Sequence, residues 1–170
     1  MADWDTSLPP LLSKLHNVEF EWYADIDFEP FSRFVSAKEI SAWFQAWTGN
    51  DKVDGSEFRV FGQDGSGGYA AFWLVNPSRD VLDQPIVFLG SEGETGVVAA
   101  NFQEYLWLLA GGIGPLESLG YPKLRGKSHR AFTAFAEQHS SAGPLRPEEV
   151  VARARKAYPK FAKQIASLCK

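Results

Sequence analysis

The sequence predicts a single α+β domain over residues 1–170, with a twisted antiparallel sheet of about four to six strands packed by α-helices. Three observations lead there. Between residues 57 and 100, short runs of Val, Ile, Phe, Tyr and Trp are separated by clusters of Gly, Pro, Asn, Asp and Ser, the pattern of a strand meander. Helical periodicity appears on both sides of that stretch. The 170 residues are 45% hydrophobic and 14% aromatic, ample material for a core that needs no disulfide staples.

In chain order, Leu8-Pro9-Pro10-Leu11-Leu12 opens a short helix reaching about His16, because proline is tolerated in the first helical turn. Residues 18–23 alternate apolar with acidic, the period of a half-buried strand, placed at a sheet edge with Glu19 and Glu21 in water. Asp25, Asp27 and Glu29 form a second acidic row; it lacks the glycine and terminal glutamate of a calcium loop, and no metal is assigned to it. Residues 36–47 carry the clearest helix, with Ser36 and Glu39 as a capping box and Ile40, Trp43, Phe44 and Trp47 on one face. That aromatic stripe is read as core in preference to a ligand-stacking platform.

The meander follows as strands over residues 57–63, 69–75, 85–89 and 96–100, and the short connections predict antiparallel neighbours. Asp64-Gly65-Ser66-Gly67-Gly68 is a hairpin turn. On the second strand Tyr69, Ala71, Trp73 and Val75 alternate with Ala70, Phe72 and Leu74, so both faces need covering. One cover is a buried helix over 101–112, with Asn101 as cap and Glu104 at the capping-box position. Further on, a helical region over 128–168 comprises a helix over 128–139, a break at Ala142-Gly143-Pro144, and a last stretch from Pro147 that Pro159 divides.

The order of helix ending in Trp47-Thr48-Gly49-Asn50, glycine-rich turn Asp64-Gly65-Ser66-Gly67-Gly68-Tyr69, strand Pro85-Ile86-Val87-Phe88-Leu89-Gly90 and helix Phe102-Gln103-Glu104-Tyr105-Leu106 resembles the SUKH superfamily. The resemblance spans residues 36–112. Where the family's helix usually opens with a Leu-Pro pair, this chain has Ser36-Ala37-Lys38-Glu39-Ile40. SUKH domains are α+β folds that include fungal cell-wall regulators and bacterial immunity proteins. The resemblance therefore implies non-catalytic protein binding, with neutralisation of a cognate polymorphic toxin, often a nuclease, as its specific form.

Charge supports two binding surfaces. Residues 1–100 hold 6 Lys/Arg against 16 Asp/Glu, whereas residues 101–170 hold 11 against 5. The resemblance implies that a basic toxin nuclease domain docks on the acidic side of the meander, through Asp64, Asp83, Glu92 and Glu94; nucleases grip phosphates and are commonly basic, which gives an acidic surface a physical reason. The alternative is a nucleic-acid or anionic-surface site built from Lys123, Arg125, Lys127 and Arg130, with Lys156, Lys160 and Lys163 at helical spacing. A hydrolase using Ser66 is a third reading, opposed by the absence of G-x-S-x-G and by histidines, His16, His129 and His139, that all lie outside the meander. No metal site and no cofactor are expected, nor is nucleotide binding by a P-loop. The one cysteine, Cys169, and the lack of a leader or long apolar run predict a cytoplasmic protein, monomeric or weakly dimeric.

Overall fold

The computed structural model describes residues 2–20 and 22–170, the side chains of residues 23 and 24 excepted. Helix α1 (Pro10–His16) opens on Pro9 and Pro10 and buries Leu12 and Leu15. A single helical turn, α2 (Trp22–Asp25), and a two-residue strand, β1 (Glu29–Pro30), precede α3 (Ala37–Thr48). The meander comprises β2 (Phe58–Gln63), β3 (Tyr69–Trp73), β4 (Ile86–Leu89) and β5 (Thr95–Ala99). Helices α4 (Phe102–Ala110), α5 (Arg130–His139), α6 (Pro147–Ala157) and α7 (Phe161–Leu168) complete the chain.

The five strands lie in the order β1-β2-β3-β4-β5, each antiparallel to its neighbours, as short connections require. The α+β class and the antiparallel sheet agree with the sequence. Register puts Tyr69 opposite Gln63 and Leu89, and Leu89 opposite Thr95. The turns over 64–68 and 90–94 consequently share one end of the sheet, and residues 74–85 occupy the other.

Alternation along each strand builds two cores. Phe61, Ala70, Phe72, Ile86, Phe88 and Val98 face α1, α4, α5 and α6. Phe58, Val60, Ala71, Val87, Leu89 and Val97 face α3 and α7. The C-terminal region thus packs on the sheet: Phe161 and Ile165 join the second core, and Pro159 separates α6 from α7 as expected. Ser36 caps α3, with the reciprocal Glu39 bond of a capping box present. No helix among the described residues is long and apolar enough to cross a membrane.

Two expectations are corrected. Residues 18–20 are irregular and the chain then makes the turn α2, not a strand; Glu21 lies outside the described residues. Phe20 and Trp22 both pack on Phe132, with centroids 4.6 and 5.0 Å away, so aromatics two apart serve one cluster and no strand is offered as partner. Glu104 does not close a capping box at α4. Asn101 accepts from the Glu104 N–H at 2.9 Å, while the Glu104 side chain is buried and pairs with Arg153 at 2.8 Å.

Candidate functional site

The end of the sheet that carries the 64–68 and 90–94 turns gathers polar groups from four parts of the chain. Asp64 organises it. Its Oδ1 accepts from the N–H groups of Ser66 (3.1 Å) and Gly68 (2.7 Å), and the Ser66 hydroxyl donates to the same carboxylate at 2.9 Å. Gly67 takes φ +89 to complete the reversal, a conformation costly for a side-chain-bearing residue. Ser91 Oγ then bonds Ser66 Oγ at 2.8 Å, tying the two turns together.

On the other side, Asp27 Oδ1 accepts from Gly65 N–H at 2.8 Å, and the Asp27 N–H donates to Glu117 Oε1 at 2.7 Å. Glu29 accepts from Gln63 at 2.8 Å across the β1–β2 pair. Burial, reinforced by the Asp27 carboxylate, raises the pKa of Glu117 above the usual range. Burial first, and then the Glu117 charge, pushes the Tyr105 phenol far up, and its hydroxyl has no hydrogen-bond partner.

Aromatic residues flank this end. Trp47 donates from Nε1 to Gly90 O at 2.7 Å and stacks on Trp43 at 5.4 Å, and Trp43 lies 4.4 Å from Tyr69. Ile40 and Phe44 are fully buried whereas Trp43 and Trp47 are half-buried. The stripe expected as core is core on one side and a partly open ledge on the other.

The four acidic residues expected to act together separate. Glu92 is exposed and Glu94 half-buried on the 90–94 turn. Asp64 is 2% exposed and committed to its own loop, which removes it from any docking set. Asp83 is exposed but sits on the 3-10 turn Val81–Asp83 at the opposite end of the sheet. Asp27 and Glu117 stand in their place. Asp27 was visible only as part of an acidic row, because its partners lie 38 and 90 residues along the chain; no local signal pointed to Glu117. No ion pair of the described residues involves Asp27, Glu92, Glu94 or Glu117.

The basic residues also divide. Lys123, Arg125, Lys127 and Arg130 are exposed on the segment leading into α5. Lys156, Lys160 and Lys163 surround the α6–α7 corner, where Tyr158 and Phe161 pack on Trp73 at the far end of β3. Ser66 Oγ has Asp64 and Ser91 as partners, and none of the three histidines is bonded to it. His16 bonds Phe31 O, His129 packs on Phe20 and His139 on Phe135. No group of three or more His, Cys, Asp or Glu among the described residues is placed to hold a metal ion.

Arranged this way, the site can present carboxylates, small loops and half-buried indoles to another macromolecule, and the Ser66 hydroxyl is held by Asp64 and Ser91. No family model, curated protein or solved structure matches the chain.

Proposed function

We propose that this chain is a non-catalytic protein-binding domain of SUKH type, an immunity protein that neutralises a basic toxin nuclease in the cytoplasm by docking it on the acidic end of the sheet. The observation that carries the proposal is the gathering of Asp27, Glu92 and Glu94 at one end with no ion pair among the described residues reaching any of them. Unneutralised carboxylates make the local potential more negative and steer a cationic partner. The Trp43–Trp47 ledge beside them adds half-exposed indole area, the residue type that dominates interface energetics. The docking residues are Glu92 and Glu94 with Asp27 and Glu29; Asp64 shapes the loop that carries them.

The test begins with capture of the partner by tagged protein from the source cells, and co-expression of that partner with and without this chain in a heterologous host. A basic protein whose growth arrest is relieved by this chain is the expected result. The double variant Glu92→Lys/Glu94→Lys should then associate about tenfold more slowly at low salt and lose most of its salt dependence, with an unchanged circular dichroism spectrum. Association at the wild-type rate removes these residues from the interface. Failure of any captured protein to arrest growth removes the immunity reading.

A further inference from the structure

Arg125 and Lys127 stand apart from the other basic residues. The segment that carries them is pressed onto the end of α4: a β-carbon at Gly126 would lie 2.6 Å from Gly111 O and 2.8 Å from Gly112 O, and one at Gly112 (φ +76) would collide with the Lys127 carbonyl. The His129 N–H donates to Ala110 O at 2.9 Å. Two glycines and one backbone bond therefore fix the path of this segment.

Beside it is a cavity of about 730 Å³, lined by Gly112, Arg125, Gly126, Lys127, Ser128 and His129 together with Phe20 and Asp25. Its volume is in the range of small-molecule sites, about 300–1,000 Å³. Neither Arg125 nor Lys127 enters an ion pair among the described residues. His129, the residue before α5, makes no side-chain cap, so the first-turn N–H groups of this ten-residue helix keep their partial positive charge. The His129 ring is held edge-on by Phe20 at 4.4 Å, and its Nδ1 is buried without a partner. Packing accounts for Phe20, the glycines and the buried side of the His129 ring, but not for two cations and a hydroxyl around one space.

We infer that this cavity binds the phosphate monoester of a small molecule. The phosphate sits among Arg125, Lys127 and the start of α5, where a guanidinium fork, an ammonium and main-chain N–H groups together match a dianion. Ser128 donates a further hydrogen bond. The organic part of the ligand lies against Phe20, and Asp25 repels the phosphate towards the basic wall while accepting from a ligand hydroxyl or amine. The inference is independent of the docking proposal, which uses none of these residues.

The test is amide NMR of the full chain titrated at constant ionic strength with inorganic phosphate, phenyl phosphate and phenol. Saturable shifts at Ser128, His129, Arg130 and Ala131 are expected with both phosphates, tighter for phenyl phosphate, and none with phenol. Because Arg125 and Lys127 are exposed, the variant Arg125→Ala/Lys127→Ala should keep its fold and bind phenyl phosphate at least about tenfold more weakly. Absence of saturation, equal affinity in the double variant, or the same response to chloride would each overturn the inference. A phosphoserine peptide that outcompetes phenyl phosphate would place the phosphate on a protein and overturn the small-molecule assignment.

Discussion

His16 keeps one hydrogen bond inside an apolar setting. Nδ1 lies 2.7 Å from Phe31 O, which as an acceptor fixes the proton on that nitrogen, and the bare Nε2 is buried without a partner beside Phe28 and Phe61. Burial lowers its pKa to about 4, against the weaker opposing pull of the Phe31 bond. The unfolded chain titrates this group at its ordinary 6.5, so between those two values the unfolded state binds the extra proton. Its contribution to stability is constant above 6.5, falls as pH drops towards 4 and levels below, with a span on the order of 3 kcal/mol. Glu57 and Glu117, raised by burial, act in the opposite direction, and comparison with His16→Asn isolates the histidine. Urea denaturation at about pH 7.5 and about pH 4.5 should show the wild type losing more stability than the variant; parallel losses would mean that His16 titrates normally when folded. Single residues are where the sequence was least legible. Asp64 was expected as a contact for a basic partner, yet its carboxylate is the hub of its own loop, and the difference depends on Ser66, Gly68 and the burial around them.

Helix α3 shows what periodicity does reveal. Its capping box and its buried Ile40 and Phe44 were readable, because both depend on residues within one or two turns. Phe44, fully buried beside Phe58 at 5.4 Å, should cost about 3–5 kcal/mol on truncation to Ala. Half-buried Trp47, whose indole ties α3 to Gly90, should cost less, about 1–2 kcal/mol. Chemical denaturation of both variants checks the order, and a larger loss at Trp47 would reverse the assignment of core and ledge. The same capping letters misled at α4. Ser36 and Glu39 face solvent and bond each other, whereas Glu104 lies under α6 and turns to Arg153. An N-cap signature records what the backbone wants, and a helix packed above can claim the glutamate first. Alternation over 18–23 failed for a related reason: a strand exists only where a neighbour accepts its hydrogen bonds, and Phe132 offered Phe20 and Trp22 a packing site instead.

In the whole molecule, β3 and β4 lie between two cores and two flanking strands. Their amides should exchange most slowly with solvent, and those of the 64–68 and 90–94 turns much faster. Native-state hydrogen exchange reads this directly; slower exchange in β1 than in β3 would contradict the layered arrangement. Strand order was legible because short connections leave little choice. The meeting of Asp27, Gly65 and Glu117 was not, because only the closed fold brings residues so distant in sequence together. The borders of the sheet carry a consequence for recognition. On one side β1 is two residues long and ends in Pro30, and the chain beyond it already donates from Phe31 and Val35 to Phe61 and Val60. On the other, α6 and α7 pack against β5. A two-residue strand at one border and helices packed on the other leave little room for a foreign segment to enter as a sixth strand. Under the docking proposal, recognition would run through side chains, by charge and shape, and its specificity would be open to point substitution without disturbing the sheet.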